Sequence, residues 1–282
     1  MSDIVVLGAG EIGGAVARLV AAADMATRVV MVDVAEAVAT GKALDIQQSA
    51  PIDGFATRVV GTGEMSAIVG ATAIVVADQY GSPAQEWQGD AGVSLIRRVI
   101  GFNERALIVC AGATQVGLVE RSVAELGVSP ARIFGSAGEA LRSAAIALAA
   151  LEAACVPADI SLALLGRPPR QVVIPWDAAS VAGQAASNVL PPPALARLET
   201  RISRVWPPGP LTLASAAARM VHAALTGSPR TMTALMVHRG DDAEDRLCAM
   251  QSVKVGRAGI VRVVQPTLTP RDRVRLDSVA SA

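Results

Sequence analysis

Residues 3–13 read Asp3-Ile-Val-Val-Leu-Gly-Ala-Gly-Glu-Ile-Gly13, an apolar β-branched run closed by glycine and followed by an alanine-rich stretch to about residue 23. Strand, tight turn and helix in that order open a βαβ unit. Gly8, Gly10 and Gly13 fit the spacing G-x-G-x-x-G. In that pattern the first glycine makes the turn, the second lets backbone approach a diphosphate, and the third lets helix and strand pack closely. The helix-start amides, Glu11 and Ile12 among them, face the phosphate, where the helix dipole favours negative charge. A second apolar run over 28–34 contains Asp33, twenty residues past Gly13. A carboxylate there accepts hydrogen bonds from an adenine ribose and repels a 2′-phosphate. These residues predict NAD(H) binding, in preference to NADP, through Gly8, Gly10, Glu11, Ile12, Gly13 and Asp33.

Outward from this unit, a helical segment is expected over 35–49 and further strands over 57–60, 73–77 and 106–110, most of them separated by helical stretches. Strands alternating with helices point to a doubly wound parallel sheet. Residues 138–154 read as one long helix, apolar on nearly all sides, which predicts burial between two layers. Its start is taken as the boundary between a Rossmann dinucleotide-binding domain, 1–137, and a second domain, 138–282. In the second domain the pattern predicts strands over 160–165 and 171–174, a helix after the prolines 191–193 and another over 212–225. Strands over 233–237, 249–255 and 259–263 and a charged helix after Pro270 complete it.

Composition narrows the function classes. The 282 residues carry 25 Lys+Arg against 25 Asp+Glu, so the basic footprint of a nucleic-acid binder is missing. No apolar run reaches the roughly 20 residues of a membrane span. Met1-Ser2-Asp3 shows no basic n-region, so a cytoplasmic protein is expected. Cys110, Cys155 and Cys248 sit apart in apolar stretches and read as reduced core cysteines. With only two histidines, His222 and His238, no metal site is expected.

The segment Gly41-Lys-Ala-Leu-Asp-Ile-Gln-Gln-Ser-Ala-Pro-Ile-Asp-Gly-Phe55, following Val32-Asp-Val34, resembles the malate and lactate dehydrogenase family, in particular its bacterial lactate-dehydrogenase-like malate dehydrogenases. The likeness continues in Gly61-Thr-Gly63, Ala73-Ile-Val-Val-Ala77, Arg132-Ile-Phe-Gly-Ser-Ala-Gly138 and residues 214–225. It implies an NAD-binding Rossmann domain, a C-terminal α+β domain, hydride transfer to or from a 2-hydroxy acid, and a homodimer or homotetramer built partly on the helix at 41–48. The family's chemistry uses a His/Asp pair for the proton, arginines that clamp carboxylates, and an asparagine near the substrate.

Carried onto this chain residue by residue, that machinery is not found. Gapless register from Gly138 puts the family's G-H-G-D on Arg167-Pro-Pro-Arg170, with Pro168 at the histidine, and its aspartate and neighbouring arginine on Leu141 and Ala144. The asparagine falls within Ala111-Gly112-Ala113, and the loop at 79–90 holds no arginine. Proline neither accepts nor donates a proton, and carboxylate recognition usually relies on a bidentate guanidinium. The expectation is a catalytically diverged, NAD-binding pseudoenzyme; the alternative is an active oxidoreductase on a hydroxy or keto acid, or another anion, with a relocated proton donor. Catalytic residues are left unassigned. Tyr80, Glu86 and Asp90 are the titratable groups of the loop that could act as a new acid or base. Arg142, Arg167 and Arg170 either line a cleft for a small anionic ligand, a carboxylate or phosphate, or are solvated arginines.

Overall fold

The computed structural model describes residues 2–81, 85–238 and 247–280. The first half runs β1 (Asp3–Leu7), α1 (Glu11–Ala22), β2 (Arg28–Val32), α2 (Glu36–Asp53), β3 (Arg58–Thr62), β4 (Ala73–Val76), a hairpin of β5 (Asp78–Gln79) and β6 (Gln85–Glu86), α3 (Gly89–Phe102), β7 (Leu107–Cys110), α4 (Val116–Leu126) and β8 (Ile133–Gly135). The second half follows with α5 (Ala137–Glu152), β9 (Ile160–Ser161), β10 (Ser180–Val181), β11 (Gln184–Ala185), α6 (Ala186–Val189), α7 (Pro192–Ser203) and α8 (Pro210–Thr226). It closes with β12 (Thr231–Val237), β13 (Cys248–Gly256), β14 (Gly259–Val263) and α9 (Pro270–Ala280).

The main sheet has the order β14-β13-β12-β8-β7-β4-β1-β2-β3. From β3 to β8 neighbouring strands are parallel, the doubly wound arrangement that the alternation of patterns predicts. Its strands are apolar at nearly every position because helices cover both faces, and Ile4, Val5, Val6 and Ile74, Val75, Val76 are fully buried. Strand order reverses between β1 and β4, and in such sheets the crevice outside the carboxyl ends at the reversal is where ligands bind. β12 joins β8 antiparallel, with Leu235 opposite Gly135, so the sheet continues into the second half as an antiparallel β12-β13-β14 ribbon. A small β11-β10-β9 sheet stands apart from it.

Several elements differ from the sequence expectation for local reasons. α2 continues past 49 through Pro51 and stops at Gly54, whose φ of 77° is the left-handed conformation that ends many helices. α5 is buried on one face only: Ala140, Leu141, Ala145 and Ala149 pack toward α7, α8 and β12, while Leu151 is 74% exposed. Alanine makes a helix look apolar all round without committing it to burial. The strands expected at 160–165 and 171–174 shrink to β9 and to a single bridge between Leu165 and Val173, because Gly166 turns the chain to pair with Met250 instead.

Phe134 on β8 is fully buried where the parallel and antiparallel parts of the sheet meet. Phe134→Ala should cost about 3–5 kcal/mol. Urea denaturation would show this as a lowered midpoint at unchanged slope.

Candidate dinucleotide site

The glycine-rich turn takes the shape its spacing predicts. Gly8 has φ +110°, a conformation open to glycine, and its amide donates to Val32 O at 2.8 Å, tying β1 to β2. A Cβ on Gly13 would overlap the carbonyl of Gly8, so the third glycine is needed for helix and strand to pack. The amides of Glu11, Ile12 and Gly13 begin α1 and have no partner within the helix. They point into the crevice at the ends of β1 and β4.

That crevice holds a side chain of the same protein. Asp78, immediately beyond β4 and 2% exposed, accepts from Glu11 N at 2.9 Å and Ile12 N at 3.3 Å on Oδ2, and from Gly13 N at 2.9 Å on Oδ1. Gly10 N donates to Asp78 O at 2.9 Å, and a Cβ on Gly10 would collide with the Asp78 carboxyl group. The second glycine therefore makes room here for an internal carboxylate. Lys42 on α2 closes the turn from outside, donating from Nζ to Gly10 O at 2.8 Å with the Tyr80 ring centroid 5.9 Å away.

Asp33 lies at the tip of β2 as expected, 5% exposed. Its Oδ2 accepts from Ala9 N at 2.7 Å and Tyr80 N at 3.1 Å, and its Oδ1 from Ala35 N at 2.9 Å. Glu11 is exposed and Ile12 is buried against the sheet, so both enter the site through their amides.

The loop that holds no arginine opens with a two-stranded pairing, Asp78 to Glu86 and Gln79 to Gln85. Its far end is held as its near end is. Glu86 accepts from Ala113 N at 3.1 Å on Oε1, and from Thr114 N and Thr114 Oγ1, each at 2.6 Å, on Oε2. Gly112 is the neighbour whose Cβ would meet this carboxylate. Gln115, 1% exposed, braces the loop by accepting from Gly112 N at 2.8 Å and donating to Ala77 O at 3.2 Å. Of the other loop candidates, Tyr80 is 55% exposed, and Asp90 pairs with Arg121 at 2.8 Å on the surface.

Arg142 and Arg167, read as lining a cleft for an anion or as solvated arginines, are matched by glutamates of their own chain. Arg142 on α5 makes a two-pronged pair with Glu139, at 3.0 and 2.9 Å, and Glu139 Oε2 also accepts from Thr233 N at 2.7 Å. Arg167 pairs with Glu120 of α4 at 2.9 Å, while Glu120 accepts from Cys248 N at 2.8 Å. Arg170 is exposed. Pro168 and Leu141 are buried apolar groups. His222 is half-buried on α8, and His238 is exposed beyond β12. No cluster of metal-ligating side chains occurs among the described residues.

Sequence reasoning named the cradle but missed the group inside it. The signal was available: Asp78 is the first polar residue after an unbroken apolar strand whose carboxyl end faces the glycine turn. For Glu86 and Lys42 no local signal exists, because their partners lie 27 or more residues away.

The fold and the cradle define a dinucleotide-binding α/β protein of the Rossmann class. Comparison with known proteins sharpens this. Residues 2–85 match the lactate/malate dehydrogenase NAD binding domain family. The malate dehydrogenase of Thioalkalivibrio sulfidiphilus is 28% identical over 98% of this chain and 95% of its own length. Among solved structures, malate dehydrogenase from Salinibacter ruber superposes with a TM-score of 0.88 at 22% identity, covering 99% of this chain and 94% of its own. That of Plasmodium falciparum, in complex with NADH, gives 0.89 at 19% identity, covering 99% and 95%. Over nearly its whole length the chain is similar to the lactate/malate dehydrogenases, and the cofactor of its N-terminal domain is NAD.

A helix start of this kind offers the donors that a diphosphate takes, but the Glu11, Ile12 and Gly13 amides are already bonded to Asp78. With the hairpin seated as it is, a diphosphate does not fit beside a second anion on the same donors.

Behind this region the thiols of Cys110 and Cys248 are buried. Burial pushes the Cys110 pKa up to about 12, and burial followed by the nearby Glu120 charge pushes Cys248 well above the usual thiol range. Both are therefore neutral and sheltered at pH 8, whereas Cys155 is partly accessible. A thiol reagent at pH 8 should modify one of the three cysteines in the native protein and all three in denaturant.

Proposed function

We propose that this is a catalytically diverged member of the lactate/malate dehydrogenase family, an NAD-type protein that does not carry out standard malate or lactate oxidation. The observation that carries the reading is the commitment of Arg142 and Arg167, the arginines nearest the expected substrate position, to Glu139 and Glu120. Arg142 gives Nε and Nη2 to Glu139 and Nη1 to the Leu162 carbonyl, and Arg167 gives Nη2 to Glu120, so each guanidinium charge is already met by a carboxylate of its own chain. The surrounding residues agree: Pro168 stands in gapless register at the family's histidine, Leu141 at its aspartate and Ala144 at its arginine. General acid/base assistance is typically worth about 10² to 10⁴ in rate, and substrate positioning adds to that.

The test is a spectrophotometric screen with NAD and NADH over malate, lactate, oxaloacetate, pyruvate and related hydroxy and keto acids. No turnover above background is expected with any of them. Robust oxidation of malate or lactate would overturn the proposal and show that Pro168 does not occupy the histidine position, and turnover of another hydroxy or keto acid would overturn it in favour of an active oxidoreductase with a relocated proton donor.

The reading extends to assembly and organisation. A homodimer or homotetramer is supported by Leu44 and Ile52, 56% and 87% exposed on α2, since apolar side chains of this size on one surface helix suit a subunit interface. Light scattering at micromolar concentration should give a mass of two or four chains; a monomeric mass would refute this. A cytoplasmic setting, and a domain boundary at 137/138 where α5 begins, belong to the same proposal. No helix among the described residues is long and apolar enough to cross a membrane.

A further inference from the structure

We propose that Asp78 is an internal stand-in for the cofactor's diphosphate: it occupies the phosphate cradle in the resting protein, and NAD(H) binds only when the Asp78 carboxylate leaves these amides. The inference rests on the NAD-binding domain and is independent of whether the protein turns over a hydroxy acid.

Four observations support it. The Asp78 carboxylate takes the three helix-start amides that a diphosphate would use. It is 2% exposed, so it is not a surface side chain that drifts aside. The glycine whose missing side chain normally admits a phosphate here borders the Asp78 carboxyl group itself. The hairpin is also fastened at its other end, where Glu86 takes the Ala113 and Thr114 amides just before α4. One short hairpin thus fills the amide sets at the ends of both β1 and β7 with its own negative charges.

Two anions cannot share one set of donors at hydrogen-bond distance. NAD(H) binding therefore competes with Asp78, and the apparent Kd is the intrinsic Kd divided by the fraction of molecules in which Asp78 has left the cradle. An open fraction of about one in ten or less weakens NADH about tenfold or more. The partners of the Asp78 carboxylate are backbone amides, which gain a new acceptor when the cofactor's phosphates arrive, so its departure leaves none of these three donors orphaned in the liganded state.

The experiment compares wild type with Asp78→Ala and with Asp78→Asn, which keeps the side-chain size but removes the charge; circular dichroism reports folding. NADH fluorescence titration should give a Kd at least tenfold lower for Asp78→Ala than for wild type, with Asp78→Asn between them. Millimolar inorganic pyrophosphate should raise the melting temperature of Asp78→Ala and leave that of wild type unmoved. If Asp78→Ala does not fold, Asp78→Asn carries both comparisons. Equal NADH affinity in wild type and folded variants, together with equal responses to pyrophosphate, overturns the proposal. Pyrophosphate stabilising only the variants while NADH binds to none of the proteins would uphold the role of Asp78 and refute the NAD assignment.

Discussion

Three backbone amides at the start of α1 set the terms for the rest of this molecule. The glycine turn aims Glu11, Ile12 and Gly13 N–H into a dry crevice between β1 and β4, where no helix carbonyl can reach them. Buried donors left unpaired cost on the order of 1–3 kcal/mol each. The protein meets that demand with the Asp78 carboxylate, a charged acceptor that the positive end of the helix dipole favours. Consequences spread from this contact: Gly8 and Gly10 must lack side chains because Asp78 lies against them, and the segment beyond β4 must turn back at once, which it does as the β5–β6 hairpin.

The same self-sufficiency recurs elsewhere in the chain. Glu86 satisfies the amides before α4, Asp33 takes three amides of its own loops, Glu139 holds Arg142, and Glu120 holds Arg167. The equal count of acidic and basic residues acquires a structural meaning here. Arginines that would otherwise be free to receive carboxylate groups are neutralised by glutamates from α4 and α5. Each of those glutamates also fastens the ribbon that extends the sheet, through Thr233 N or Cys248 N. A charge that serves the fold in this way cannot be lent to a ligand without loosening β12 and β13.

Much of this was legible in the chain, and the exceptions have a common cause. The Rossmann half, the glycine spacing and Asp33 follow from periodicity and short-range spacing, because backbone conformation and the covering of both sheet faces act locally. The strands near 160–174 were not legible, since what decides them is Gly166 turning to meet Met250 some 84 positions later. α5 misled for a different reason: its alanines fit burial and exposure equally well, and packing on α7, α8 and β12 alone selects the inward face.

By itself the sequence determined the doubly wound architecture and the phosphate-type cradle, because these depend on residue identity and near-neighbour spacing. Only the tertiary structure decided what the cradle contains. Asp78 lies 65 to 67 positions from the amides it binds, and Glu86 lies 27 or 28 from its own. Hydrogen bonds are directional and short in reach, so no spacing rule foretells which carboxylate the folding of β4 beside β1 will deliver to a waiting helix end.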